Sequence, residues 1–422
     1  MSTAFKDHLR ELTLIFRERG ITAEDLSSMP DLFIHVFSGI SDQRHQSYTK
    51  YRLENLLGIC LVLAIMGRFT SFHGAETYVR LKPQEFIRLG LVKEGEYPSN
   101  DTFRRLFVML DNREFEEETI GRIRRFFEKV SDRAGENSTP ETRIISGDGQ
   151  VVRGTRISHG DGTTDNAINM MNLYVVSSGL VLRSVPIDGK TNEIPVFQEL
   201  LQKIDIKNAV ITADAMHCQN ETARIIDSRK GFYCFPVKEN QSELREELVR
   251  IISNSKCEQK SMSNRDFWIA QIPKDRFSPF WPGARYAVRM VSHVREERTG
   301  KPGDEMVFIT SVKTPSLAME AICSRWRIED DLHRFKDMKL RQDEIQVRER
   351  NALRNMVTLN NVVYSLYRIA GAIEGRRMGE MMILYENDPM TLLSKIYPLT
   401  IGTNFVKLVR KHMRGTKESK KD

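Results

Sequence analysis

The chain has 422 residues, 40% of them hydrophobic and 29% charged, with a formal net charge of +7 and a pI near 9.0. That length suffices for a large core and two or three domains, and the composition is that of a globular protein. Cysteines at 60, 218, 234, 257 and 323 form no C-x-x-C pair, so they indicate neither a zinc ribbon nor a disulfide framework.

The start, MSTAFKDHLRELTLIF, is amphipathic and carries acids but has no apolar signal-peptide core, so a cytoplasmic, nucleoid-associated location is expected. The longest apolar run, Leu56 to Met66, is too short to cross a bilayer and is flanked by Glu54 and Arg68; a buried helix and no membrane partner are expected. The basic excess points toward polyanions, nucleic acid first, and equally suits a merely basic enzyme.

Up to residue 135 the pattern is helical, with amphipathic stretches at 5–19, 51–66, 83–90, 101–110 and 114–133. Pro98-Ser99-Asn100-Asp101 reads as a turn and N-cap. The polar segment ENSTPET marks a boundary, giving a helical N-terminal domain over 1–138. Short β-branched runs follow at 143–146, 171–177 and 180–187, the last two joined as a hairpin. Then come a helix from Glu193, a buried strand at 208–213, a helix to Ser228 and a strand at 232–237. The series predicts an α/β sheet with an antiparallel and a parallel half. Residues 241–304 read as a mostly β insertion, interrupting a catalytic domain over 139–375. The chain is helical again after 315, and a C-terminal region over 376–422 ends in a tail with seven Lys or Arg against two acids, suited to phosphate or simply to solubility.

Two acids end predicted buried strands: Asp148 after RIISG and Asp214 after NAVITA. The crevice beyond strand ends is where open α/β sheets place their ligands, although either acid alone also suits an Asx turn or a helix cap. A third acid has to come from ICSRWRIEDDLHRFKDMK, residues 322–339. Projected as an α-helix with Glu329 at zero, Ile322 and Lys336 fall about 20° away and Arg325 and His333 about 40° away. Leu317, Ala321, Ile328, Leu332 and Phe335 form the core stripe, while Asp330 and Asp331 face the wet side. Glu329 therefore borders the core between two cations. Asp148, Asp214 and Glu329 together suit hard divalent cations, Mg²⁺ or Mn²⁺, and two such ions could drive phosphodiester displacement. Arg325 and Lys336 would flank a nucleic-acid backbone, and Arg325 equally suits i,i+4 pairing with Glu329.

The spacing R-x3-E-x6-K at Arg325, Glu329 and Lys336 resembles the signature around the last catalytic acid of a large group of bacterial DDE transposases. DGQVVRG (148–154), DGKTNEIP (188–195), TADAMHCQ (212–219), PVKENQ (236–241) and RWRIEDDLH (325–333) resemble the H-repeat-associated, Rhs-linked transposases more closely. QSYTKYRLENLLGICLVLAIMGR and PSNDTFRRLF are similar to that family's associated N-terminal domain.

The resemblance implies a ribonuclease-H-like α/β core with a β-rich insertion, and Asp148, Asp214 and Glu329 as the DDE triad and metal ligands. It implies cleavage at element ends and strand transfer into target DNA, with double-stranded DNA as partner and at least a homodimer during synapsis. Members of that group often pass through a hairpinned DNA end, with an insertion tryptophan on a flipped base; Trp281 or Trp268 could serve, or could be core aromatics. Arg153 and Lys190 are candidate phosphate contacts. His217 and His333 either modulate the metal site or serve packing and capping. The N-terminal helices are the expected reader of element ends. The sequence departs from the family at Gln150, where Lys is usual, and at Ile322, where Tyr is usual. Two alternatives stay open: a silent, transposase-derived DNA-binding regulator and a host nuclease on the same fold.

Overall fold

The computed structural model describes residues 36–37, 39–45, 49–123, 142–176, 178–187, 192–294 and 303–393. The expected helix at 5–19, the end of that at 114–133, Lys190 and the basic tail lie outside the described residues.

The helical part begins with Leu53–Ile65 (α1), apolar all round and almost wholly buried, as its unbroken apolar run demands. Phe72–Leu81 (α2), Pro83–Arg88 (α3), Asn100–Met109 (α4) and Asn112–Glu116 (α5) follow, α5 running into a π-helical turn at Glu117–Gly121. Ser99 caps α4, its hydroxyl accepting from the Thr102 amide at 3.3 Å, so the predicted turn and cap stand where expected. Among the described residues no helix is long and apolar enough to cross a membrane.

The strands are Ile144–Val152 (β1), Ile157–Ser158 (β2), Thr164–Asp165 (β3), Ile168–Val175 (β4), Leu180–Pro186 (β5), Val210–Ala213 (β6), Phe232–Val237 (β7), Glu258–Ser261 (β8), Arg265–Gln271 (β9), Tyr286–Ser292 (β10) and Asp304–Thr310 (β11). Nine form one sheet in the order β5-β4-β1-β6-β7-β11-β10-β9-β8, while β2 and β3 make a separate small hairpin. β1, β4 and β5 pair antiparallel, and β1, β6 and β7 pair parallel, which gives the expected mixed halves. The insertion differs from expectation. It opens with a helix, Ser242–Asn254 (α8), whose Leu244, Leu248 and Ile251 are buried at helical spacing, and its strands continue the main sheet through β11 on β7.

Alternation along each strand builds a core on both faces. Ile145, Leu173 and Ile211 pack under Glu193–Lys203 (α6), Asn220–Ser228 (α7) and α8. Ile144, Met170 and Val210 face the other way, toward Pro315–Ser324 (α9), Arg334–Met338 (α10) and Arg350–Glu374 (α11), with Met378–Tyr385 (α12) beyond. The long helix α11 is a shared wall, touching α1, α4 and α5 on one side and β5 on the other. Its buried Asn355 donates to the carbonyls of Phe107 and Leu110, at 2.9 and 3.0 Å, and accepts from Asn112 at 2.8 Å. A buried amide satisfied on every side fixes one docking of the N-terminal helices on α11.

Gly154 shows how tightly the site's loops close. A Cβ there would lie 2.7 Å from the Ile345 carbonyl oxygen and 2.8 Å from that of Asp343. Those are backbone atoms that cannot swing aside, so Gly154→Ala is expected to destabilise the fold by about 1–3 kcal/mol. Urea denaturation of the variant beside wild type checks it.

Candidate active site

β6 ends at Ala213, the partner of Gly147, while β1 runs on to Val152 against β4 alone. Asp148 is therefore inside β1 rather than beyond its end, at the point where the β1–β6 pairing opens. Asp214 follows β6 directly, so the two acids stand on neighbouring parallel strands. Ser146, Asp148 and Gln150 share one face of β1 by alternation. The Ser146 hydroxyl donates to the Arg325 carbonyl at 3.2 Å, pinning the chain that carries Glu329 to the strand that carries Asp148.

Residues Ile328–His333 form a π-helical turn rather than a continuous α-helix. The wider turn breaks the 100° projection: Glu329 is exposed, whereas Arg325, His333 and Lys336 point inward and are buried. Asp331, expected on the wet side, is partly buried, 2.8 Å from Arg327 and 3.4 Å from the Tyr174 hydroxyl.

Asp148 is pushed up to about 7, by burial first and then by the charge of Glu329, with Glu193 and Asp214 adding to it. Glu193, the first residue of α6, is a fourth acid that the sequence reading did not single out, although DGKTNEIP contains it. Its carboxylate fills the space over Gly149, where a Cβ would come within 2.7 Å, and it accepts from Asn169. The buried His217 ring lies 3.8 Å from Glu193 and is held neutral, its pKa lowered to about 4 by burial.

Asp214 is flanked by two cations, Arg325 Nη1 at 3.3 Å and Lys238 Nζ at 3.7 Å. Arg325 is buried, its guanidinium 4.3 Å from the Trp326 ring, so it holds Asp214 rather than lining an open DNA path as expected. Lys238, from PVKENQ, is the exposed cation at this acid, with 56% of its side chain accessible. Lys336 is likewise displaced from the expected surface: it is fully buried, its ammonium 3.4 Å from Asn172 Oδ1, and burial lowers its pKa to about 7. Arg153 does reach solvent, with 79% of its side chain exposed and one contact to Asp343 at 3.3 Å.

The two departures from the family pattern turn inward. Gln150 donates to Asp337 at 2.8 Å and accepts from Gln342 at 3.0 Å, and Ile322 is a wholly buried core residue. Of the two readings of Trp281, the core one holds and the base-holding one is corrected: it is 5% exposed and packs 6.3 Å from the Tyr233 ring. Trp268 is half-buried under the Arg289 guanidinium at 4.9 Å.

Among the described residues no three His, Cys, Asp or Glu side chains already stand as a cage around one ion. The donor chemistry nevertheless fits a hard cation: the groups are carboxylate oxygens, and burial together with the neighbouring acids raises Asp148.

The Transposase DDE domain family matches residues 139–366, and a DDE-transposase-associated family matches 34–121. A putative transposase, YncI, of Escherichia coli O157:H7 is 28% identical over 81% of this chain and 88% of its own. The H repeat-associated putative transposase YhhI of Escherichia coli K12 is 25% identical over 76% of this chain and 86% of its own. A piggyBac transposase synaptic complex with hairpin DNA overlays with a TM-score of 0.41 at 13% identity, covering 95% of this chain and 84% of that one, too loose a likeness to bear on the site. The chain belongs to the transposase DDE domain family, with H repeat-associated putative transposases among its relatives.

Proposed function

We propose that this chain is a divalent-metal-dependent DNA transposase on a ribonuclease-H-like core, cleaving element ends and joining them to target DNA. The observation that carries the reading is that Asp148 and Asp214 stand on adjacent parallel strands, with the charge of Glu329, from the turn after α9, acting on the Asp148 carboxyl. Asp148, Asp214 and Glu329 would hold Mg²⁺ or Mn²⁺. When bound, two such ions activate a water or 3′-hydroxyl and stabilise the leaving oxygen.

The protein's own groups divide the remaining work. Arg325 fixes the Asp214 carboxylate from beneath. Lys238, beside Asp214, and Arg153, just past the end of β1, are the exposed cations that meet the phosphates. The N-terminal helices, wedged on α11, read the element ends, and synapsis of two ends requires at least a dimer.

The test is incubation with Mg²⁺ or Mn²⁺ and labelled duplex DNA carrying the native flanking sequences, with nicked and joined products expected. Binding without nicking sinks the enzyme reading, and nicking without joining favours a nuclease. Affinity for those ends is expected to fall about tenfold or more between 50 and 200 mM salt, as release of several counterions requires. Fluorescence anisotropy across that range checks it, and a flat response counts against a phosphate-tracking surface.

A further inference from the structure

Four polar side chains lead from Asp148 to α11. His333 Nδ1 lies 3.5 Å from Asp148 Oδ2, and its Nε2 lies 3.3 Å from Asn172 Nδ2. Asn172 is the strand partner of Asp148 on β4. Its amide also donates to the Met170 carbonyl at 3.3 Å, and its Oδ1 accepts from Ser184 at 2.6 Å. Ser184 in turn accepts from Asn361 of α11 at 2.8 Å. His333, Asn172, Ser184 and Asn361 are all buried.

This chain determines the histidine tautomer. A backbone carbonyl can only accept, so the Asn172 group facing Met170 is its NH₂, and the ring nitrogen on the same side must also accept. Nε2 is therefore bare and the proton is on Nδ1, the nitrogen that lies 3.5 Å from Asp148 Oδ2. A neutral N–H at that position orients the carboxylate without setting a positive charge against an incoming cation, and leaves Oδ1 free of the ring.

We propose that His333 is the positioning residue of the first catalytic acid: held as its Nδ1–H tautomer by Asn172, it fixes Asp148 Oδ2 so that Oδ1 meets the metal. The assignment rests on the acid-triad reading for its purpose, though not for its geometry.

Two measurements on the full chain separate those. In ¹⁵N-histidine-labelled protein, the His333 resonances, identified by their loss in His333→Asn, are expected to show a protonated Nδ1 and an unprotonated Nε2; the reverse pattern overturns the proposal, whatever the activity. In Mn²⁺ titration calorimetry and DNA nicking, His333→Leu and Asn172→Asp are each expected to lose about 10–100-fold, with Kd for DNA within about twofold of wild type. Asn172→Asp tests the tautomer because a carboxylate there draws the proton to Nε2. His333→Asn, whose amide can replace the Nδ1–H, is expected to recover most of the loss. Wild-type Mn²⁺ affinity and nicking in His333→Leu overturn the proposal, and should that variant not fold, the wild-type resonances and Asn172→Asp still decide it. A wild type that neither binds Mn²⁺ nor nicks refutes the metal reading, and the tautomer then tests His333 alone.

Discussion

Asp148→Ala and Asp148→Asn are both expected to reduce nicking to background while leaving DNA affinity within about twofold of wild type, because carboxylates hold metal and cations hold phosphate. Outer-shell substitutions at metal sites cost about 10–100-fold, so removing a ligand must cost more than that. Asp148→Asn is also expected to stabilise the metal-free protein. The wild-type carboxyl is raised from 3.8 to about 7. For a raised acid, the stabilising contribution is complete below the unfolded value and is lost as pH rises through the folded one. Between pH 4 and 7 the wild type therefore loses stability that an asparagine, with nothing to ionise, retains. With 26% of the side chain exposed, the difference above pH 7 is on the order of 2–4 kcal/mol. Adding Mg²⁺ is expected to narrow the gap by stabilising wild type only. Thermal melts at pH 5 and 8, with and without Mg²⁺, decide the matter; a pH-independent gap of the wrong sign would mean that Asp148 is neither desolvated nor crowded by like charge.

Much of the sheet region can be read from sequence because its signals are local. The β-branched runs at 171–177 and 180–187 and the buried strands at 208–213 and 232–237 became β4, β5, β6 and β7 with boundaries shifted by a few residues. The same pattern singles out Asp148 and Asp214 as strand-terminal acids, which holds for Asp214 after β6, whereas Asp148 lies inside β1. The insertion was harder to read, since α8 is a surface helix with one apolar stripe in a polar stretch, and a strand's membership of the main sheet is a long-range pairing that no window contains.

A straight α-helical projection singles out Glu329 as the candidate third acid, and its geometry does not hold. A π turn inserts where a straight α-helix was assumed, and it carried Lys336 and His333 into the interior while leaving Glu329 at the mouth. Nothing in the spacing R-x3-E-x6-K distinguishes a lysine facing phosphate from one facing Asn172. Charge was the misleading cue for Arg325 also, where the partner is the Asp214 carboxylate on another element. Glu193 and Lys238 lay inside motifs already noted, and only the fold shows that α6 begins over Gly149 and that β7 ends beside Asp214.

The buried lysine gives the other large effect. Lys336→Met is expected to stabilise the protein at pH 6.5 and to leave DNA affinity unchanged, the reverse of what a phosphate contact would do. Burial lowers the wild-type ammonium from 10.5 to about 7, with the Asp337 charge only partly offsetting it. For a lowered base, the stabilising contribution is complete above the unfolded value and is lost as pH falls through the folded one. Wild type should therefore gain stability from pH 7 to 10, while the methionine variant, of similar length and volume, lacks that slope. The variant gives up the contact with Asn172 Oδ1, which Ser184 still satisfies, so the net gain at pH 6.5 is on the order of 1–3 kcal/mol. Denaturant titrations at pH 6.5 and 9.5, paired with anisotropy on the DNA ends, measure both halves. Equal slopes in the two proteins would show that Lys336 is solvated, and a loss of DNA affinity would return it to the phosphate path that its place in the signature first suggested.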